Sequence, residues 1–448
     1  MARRRSRIGA IGTATIEKVD AKGLGVGTYR ERPVRVPVTL PGEQVRFRIV
    51  QQKRREFRGQ LLDLFSPDAA RIKPGCQHFY DCGGCALQHL SINDQVALKE
   101  ERLRTHFAQT GLVLPTLAPP IQGPQWGYRR SARMGVRYVA GKGGALVGFR
   151  EKASNRVAVL SRCETLIPAV GTLLAPLRAL ISSLGCRRTV PQIEMIGADG
   201  ATALTLRHLE PLDDADRRAL LAFGREHRIH WLLQSGGPDS VVPLAGQSPL
   251  DLHYMHHAFA LKMVFHAADF VQVNGIVNER LVEQAIAWLA PRPDDRILDA
   301  FCGIGNFSLP LATRAGTVVG IEGAPALVKR AAYNAELNGL ANVQFDVVDL
   351  YQSGGAARCL AERWSAVLVD PPRSGALEFV ESMVAPYPER LLYVACEPST
   401  LARDAAILVQ RHGYVIAKAG IADMFPHTNH VESMVLFTRT PSRCGHAA

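Results

Sequence analysis

Residues 297–307 read Ile297-Leu298-Asp299-Ala300-Phe301-Cys302-Gly303-Ile304-Gly305-Asn306-Phe307. A strand expected over Arg296 to Ala300 runs straight into a glycine-rich turn. The glycines permit a tight turn and let a ligand approach the backbone closely. In an open parallel sheet such turns lie at the carboxyl ends of the strands, where ligands bind. Glu322 follows 23 residues after Asp299, at the end of the next strand. A carboxylate there can accept both hydroxyls of a ribose. The turn is not a full G-x-G-x-x-G, so S-adenosylmethionine suits it better than a dinucleotide. The glycine turn alone is weak evidence, since unrelated α/β domains use such turns structurally.

The pattern around this loop is an alternation of helices and strands from about residue 266 onward. Val277, Leu281, Val282, Ala285, Ile286 and Leu289 form the apolar stripe of an amphipathic helix. Further strands are expected at 318–321, 343–347, 366–369 and 391–395, with helices at 324–338, 375–384 and 399–412. This alternation implies an open, mostly parallel sheet covered by helices on both faces.

Three further segments carry unusual residues at or near strand ends. They are Asp370-Pro371-Pro372-Arg373, Ala395-Cys396-Glu397-Pro398 and His430-Val431-Glu432-Ser433. A parallel sheet gathers such ends beside the glycine turn. A thiol, a carboxylate base and a methyl-donor loop together suit methylation at C5 of a pyrimidine. That carbon is a poor nucleophile until a thiolate adds to C6, and a base must then remove the C5 proton. Cysteine suits the first step and glutamate the second. Asp370 can fix the pyrimidine edge or contact the cofactor side of the cleft. Each residue has a plainer reading in isolation. Cys396 is then apolar core and Glu432 a surface carboxylate. An amino-methylating enzyme usually has an aromatic after D-P-P, and this chain has Arg373.

The 448 residues suggest two to four domains, and 47% hydrophobic with 21% charged residues is the balance of a soluble globular protein. Residues 1–75 hold 17 Lys/Arg against 7 Asp/Glu, so +10 of the net +12 resides there. Val34, Val36 and Val38, then Val45, Phe47 and Ile49, alternate with polar or turn residues. Such patterning with short turns predicts a small β-barrel. Its arginines, continued by Lys53-Arg54-Arg55 and Arg58, suggest nucleic-acid binding, against the plainer reading of a solvated face. Met1 to Arg7 is basic like a signal peptide, but Ile8 to Ile16 reads as a strand. No apolar run reaches the ~18 residues of a membrane span. A cytoplasmic monomer that engages no membrane is expected.

Nine cysteines, an odd number, argue against a disulfide framework. Cys76, Cys82 and Cys85, with Cys163 far downstream, supply four thiols, and Gly83-Gly84 permits a tight loop between them. Four thiolates suit Zn²⁺ or a [4Fe–4S] cluster, and spacing does not separate the two. A radical-SAM reading fails on spacing. Cys186, Cys302, Cys359 and Cys444 read as structural. His253, His256 and His257 have no acidic or cysteine partner at ligand spacing, so they read as ordinary histidines.

The chain resembles the RNA uracil-C5 methyltransferase family, and within it the bacterial branch acting on 23S ribosomal RNA. That branch has an N-terminal TRAM barrel and an iron–sulfur cluster. The resemblance spans nearly the whole chain. It is carried by Phe270-Val271-Gln272-Val273-Asn274, the 299–307 loop, Asp370 to Arg373, Ala395 to Pro398 and Phe425-Pro426-His427-Thr428-Asn429-His430-Val431-Glu432. It implies Cys396 as nucleophile and Glu432 as base. It implies S-adenosylmethionine contacts from Gln272, Phe301, Asn306, Glu322, Asp349 and Asp370. It further implies a [4Fe–4S] cluster on Cys76, Cys82, Cys85 and Cys163, and 23S ribosomal RNA as partner. The family often has Asn after the nucleophile and Gly before the final His, where this chain has Glu397 and Asn429. The expected fold is multi-domain α/β. An OB-like TRAM barrel occupies 1–67, an α+β domain with the cysteine cluster 68–264, and a Rossmann-like methyltransferase domain 265–448. A tRNA-modifying enzyme and a non-catalytic RNA-binding assembly factor are the competing readings.

Overall fold

The structure is a computed structural model that describes residues 7–20, 23–152, 154–352 and 354–439. Cys444 and the basic start Met1 to Ser6 lie outside the described residues.

The N-terminal strands β1 (Ile11–Val19), β2 (Leu24–Tyr29), β3 (Arg32–Pro37), β4 (Gln44–Gln52) and β5 (Phe57–Ser66) close into a barrel in the order β1-β2-β3-β5-β4. The alternation read from the sequence sets its core. Val45, Phe47 and Ile49 point inward while Arg46 and Arg48 face solvent. The strand expected from Ile8 to Ile16 is present as β1, shifted to Ile11–Val19.

A six-stranded sheet follows, built from β6 (Ser131–Val139), β7 (Gly144–Gly148), β8 (Gln192–Ala198), β9 (Ala201–Arg207), β10 (His230–Gln234) and β11 (Val241–Pro243). Its apolar face packs on the helices Leu174–Ser183 and Asp214–His227. A hairpin of β12 (His253–His256) and β13 (Leu261–Val264) leads into the last sheet.

That sheet holds β14 (Arg296–Ala300), β15 (Thr317–Glu322), β16 (Val343–Val347), β17 (Ala366–Val369), β18 (Arg390–Ala395), β19 (Val415–Ala422) and β20 (Glu432–Thr438). Their order is β16-β15-β14-β17-β18-β20-β19. Strands β14 to β18 are parallel, and β20 runs antiparallel to both β18 and β19. The order reverses beside β14, which makes the carboxyl end of that strand the crevice of the sheet. The helix expected over 375–384 is cut to Leu377–Glu381. Pro386 disfavours helical backbone at Ala385 and removes a donor.

Packing does not follow chain order. The helix Ile92–Gln109 lies against the last sheet, with Val96, Leu103 and Phe107 in one core with Leu401, Leu408 and Tyr414. Ser91 caps it by accepting the Asp94 N–H at 3.2 Å. Its buried Lys99 donates to Asp423 and, at 3.1 Å, to the Phe425 carbonyl. Among the described residues no helix is long and apolar enough to cross a membrane.

Removing one partner of a buried ion pair strands the other charge. Lys99→Ala is expected to cost about 3–5 kcal/mol. The double variant K99M/D423L should recover most of that loss. Urea denaturation of the three proteins checks both expectations.

Candidate active site

Gln272, Phe301, Asn306, Glu322, Asp349, Asp370, Cys396 and Glu432 all line one cavity of about 560 Å³. The parallel strands explain the convergence. Phe301, Asp370 and Cys396 each follow the last residue of β14, β17 and β18, and Glu322 ends β15. Glu432 arrives differently, as the first residue of antiparallel β20. Ala395 pairs with Ser433 in the β18–β20 ladder. Cys396 and Glu432 adjoin this last pair, and both line the cavity.

The turn after β14 is built from left-handed backbone. Phe301 has φ +64°, Gly303 +57° and Gly305 +90°. At Gly305 a Cβ would sit 2.5 Å from the Leu309 side chain, so only glycine fits there. Phe301 is not glycine and holds this conformation under local strain. Its ring lies 5.5 Å from that of Tyr351. Glu322 accepts the Gly303 N–H at 3.2 Å and the Ala324 N–H at 3.0 Å, which fixes the carboxylate beside the turn. Asp349 accepts the Tyr351 N–H at 2.9 Å. Asn306 is held internally. Its Oδ1 accepts from the Tyr254 hydroxyl at 2.9 Å and from Asn278 at 3.0 Å, with His256 Nε2 at 3.1 Å.

The acidic groups of the cavity are poorly solvated. Burial pushes Glu432 up to about 7, and Arg373 opposes the shift. Burial, then the neighbouring Glu432, holds the Asp370 carboxyl well above its ordinary range. Burial also pushes the Cys396 thiol up to about 11, with Glu432 and Asp370 adding to the rise and Arg373 opposing it. Arg373 is therefore the cation that favours the charged forms of both Cys396 and Glu432. Its guanidinium donates to His430 Nδ1 at 3.0 Å. Arginine can only donate, so Nδ1 accepts and the ring is neutral. Burial and then Arg373 lower His430 to about 4.

The two departures from the family pattern share one partner. Arg102 donates to Glu397 Oε1 at 2.7 Å and to the Asn429 carbonyl at 2.9 Å. Glu397 also caps the helix Pro398–Gln410 by accepting the Ser399 N–H, which is the work an Asn does at that position.

The turn before β20 is anchored through its carbonyls. Lys99 reaches that of Phe425, the Tyr128 hydroxyl that of Pro426 at 3.0 Å, and the Ala86 and Leu87 N–H groups that of His427 at 2.8 and 3.0 Å. Trp126 stacks on His427 at 4.0 Å. Tyr254 and Tyr351 also line the cavity, and nothing in their local sequence marks them. The histidines of 253–257 have separate partners: His253 lies 3.1 Å from Asp251, His257 3.1 Å from Glu279, and His256 faces Asn306.

Cys76, Cys82, Cys85 and Cys163 line a second, small cavity of about 20 Å³ with Phe79 and Phe149. Burial pushes Cys85 up to about 12, and the other three thiols add to the rise. Lys152 crosses this loop, donating to the carbonyls of Cys82 at 2.9 Å and Cys85 at 2.8 Å. Among the described residues no group of three or more His, Cys, Asp or Glu is set to hold a single metal ion.

The Glu432 carboxyl gives a stability signature. Its folded value of about 7 lies above the ordinary 4.5. The fold therefore favours the protonated form, and stability falls as pH rises from about 4.5 through 7. Glu432→Gln keeps the shape without the charge. It should stabilise the protein by up to about 3 kcal/mol at pH 8, with the gain vanishing near pH 4. Thermal melts of both proteins across this range check the sign, and a difference independent of pH would contradict it.

Comparison with known proteins places the chain. The tRNA (Uracil-5-)-methyltransferase family model matches residues 252–352 and 359–440. The 23S rRNA (uracil(1939)-C(5))-methyltransferase RlmD of Cupriavidus necator is 43% identical over 440 residues, covering 95% of this chain and 100% of that one. The RlmD of Nitrosococcus oceani is 44% identical, covering 95% and 96%. The crystal structure of Pyrococcus abyssi tRNA (uracil-54, C5)-methyltransferase in complex with S-adenosyl-L-homocysteine superposes with TM-score 0.74 at 21% identity, covering 95% of this chain and 99% of that one. That last likeness speaks for the fold alone. With relatives this similar along almost their full length, the chain belongs to the RNA (uracil-C5)-methyltransferase family.

Proposed function

We propose that this protein methylates C5 of a uridine in 23S ribosomal RNA, using S-adenosylmethionine and a covalent adduct through Cys396. The observation that carries the mechanism is that Cys396 and Glu432, which adjoin the last pair of the β18–β20 ladder, line the same cavity as the Gly303 turn and Glu322. The substrate follows from relatives named for 23S rRNA at 42–44% identity over most of the chain.

S-adenosylmethionine supplies the electrophilic methyl group and a positive sulfonium. Gln272, Phe301, Asn306, Glu322, Asp349 and Asp370 are the residues assigned to hold it. The engaged side chain of Asn306 supports a bracing role for that residue, with Tyr254 and Asn278 as its partners. Cys396 Sγ bonds to C6 of uracil, and the C5=C6 electrons move into an enolate. C5 then accepts the methyl group. Glu432 takes the proton from C5, and the freed electron pair re-forms C5=C6 and expels the thiolate. A base with a value near 7 suits that step at neutral pH. Arg373 favours the thiolate at the start and the carboxylate at the end.

Cys76, Cys82, Cys85 and Cys163 are assigned to a [4Fe–4S] cluster. Thiols around one cavity suit such a group. A single zinc needs every sulfur within about 2.3 Å of one atom. A cluster gives each thiolate its own iron and tolerates wider spacing. The basic barrel is assigned to RNA binding. The working division is 1–67, 68–264 and 265–448, with the 92–109 helix of the second unit packed on the third. The protein is read as a cytoplasmic monomer.

Cys396→Ala should lower the methylation rate of a 23S fragment by at least about a thousandfold while the protein stays folded. RNA bearing 5-fluorouridine should form a cofactor-dependent adduct that survives denaturing gels, because fluorine blocks the final proton removal. Full activity of the alanine variant would overturn the adduct mechanism. Methylation of tRNA in preference to 23S fragments would overturn the substrate. Metal analysis of protein purified without oxygen should give iron and acid-labile sulfide rather than zinc.

A further inference from the structure

Two cavities outside the catalytic one share a wall. The first, about 430 Å³, lies between the barrel and the cysteine loop, and Arg35, Arg58, Gly84, Phe149, Arg150 and Lys152 are among its lining. The second, about 840 Å³, runs along the solvent face of β6 and carries Arg133, Arg137, Lys142, Arg150 and Arg156. Phe149 and Arg150 belong to both. Glu151 is the only carboxylate among the described residues that line either one, and it pairs with Lys142.

The cations differ in how they are satisfied. Arg35 is neutralised by Asp20 and Glu56, and Arg133 by Glu194. Lys152 is bound to the cysteine loop. Arg58, Arg137 and Arg156 have no carboxylate partner among the described residues, and Arg58 Nε is buried without any hydrogen bond. A buried guanidinium nitrogen left unpaired is costly unless a ligand completes it. On β6, residues 133, 135 and 137 share the face opposite the buried Ala132, Met134 and Val136, so this sheet turns a basic side to solvent. Phe149 is half-buried, and it also lines the cysteine cavity, which fixes its ring from behind.

We propose that these two cavities form a second RNA site, which takes a single-stranded segment of the substrate outside the target uridine. An unstacked base lies against Phe149, and flanking phosphates sit on Arg58, Arg137, Arg150 and Arg156. Cationic side chains around an aromatic platform are the chemistry that recognises a single strand. The volume of the first cavity falls in the range that accepts a nucleotide-sized group. The path adjoins the catalytic turn. Ala86 lines the first cavity and donates to the His427 carbonyl, and Gly23, also in its lining, packs on Asn429. Gly23 has φ +67°, and a side chain there would collide with Asn429, so glycine permits that contact. The inference rests on the reading of the substrate as RNA.

The test uses the full-length holoprotein and a 23S fragment that it methylates. In the triple variant R58A/R137A/R156A, the slope of log affinity against log salt should fall by about 2, at ~0.7 per phosphate lost. Affinity at physiological salt should drop by about tenfold or more. Phe149→Leu keeps the packing and removes the aromatic face, and should weaken binding by roughly five- to a hundredfold. Ultraviolet cross-linking of the unaltered protein should join RNA to a peptide containing Phe149. An unchanged salt slope, or cross-links confined to the catalytic cavity, would overturn the second site. If the unaltered protein methylates the fragment while those results fail, the catalytic assignment survives and only this inference falls. Absence of methylation by the unaltered protein would instead count against the assigned reaction.

Discussion

The site depends on the antiparallel docking of β20 beside β18. Parallel strands alone deliver Cys396, Asp370, Glu322 and the Gly303 turn to one edge of the sheet. They do not deliver the Glu432 carboxylate to the cavity that holds the thiol. Because β20 runs the other way, its start lies beside the end of β18: the ladder closes on Ala395 and Ser433, and their neighbours Cys396 and Glu432 both line the cavity. The turn that feeds β20 draws much of its backbone bonding from elsewhere in the chain. Its carbonyls at Phe425, Pro426, His427 and Asn429 are taken by Lys99, Tyr128, the Ala86–Leu87 backbone and Arg102. Residues far apart in the chain thus meet at the loop that aims the carboxylate.

That arrangement has an electrostatic cost. Three acidic groups, Asp370, Cys396 and Glu432, sit in a recess where burial raises each of them. Such crowding disfavours full ionisation and leaves protons available to move. Arg373 offsets part of it, and its bond to His430 keeps that ring neutral. The arginine after D-P-P thus has a physical role that an aromatic residue cannot fill.

The cysteine loop belongs to the same assembly. Its backbone holds His427 on one side, and Phe149 closes its cavity on the other. A group bound by the four thiols would therefore stiffen both the catalytic turn and the basic surface beside the barrel.

The sequence by itself determined the parts whose order is local. The strand Arg296–Ala300, the turn after it and the helix Gly275–Leu289 follow from apolar periodicity and glycine placement, and the structure has them at or within two residues of their expected bounds. The barrel alternation was equally legible, because period-two patterning is a property of consecutive residues. The residues that line the main cavity were legible as types at strand ends. Tertiary structure decided the rest. Strands β19 and β20 were not read from the sequence, and with them went the antiparallel route by which Glu432 reaches the cavity. The contributions of Tyr254 and Tyr351, and the packing of the 92–109 helix on the last sheet, were also hidden. Each depends on contacts across tens to hundreds of residues, such as Lys99 with Asp423 and Arg102 with Glu397. No local pattern encodes such contacts. Only the folded sheet, with one strand reversed, brings those residues within hydrogen-bond reach.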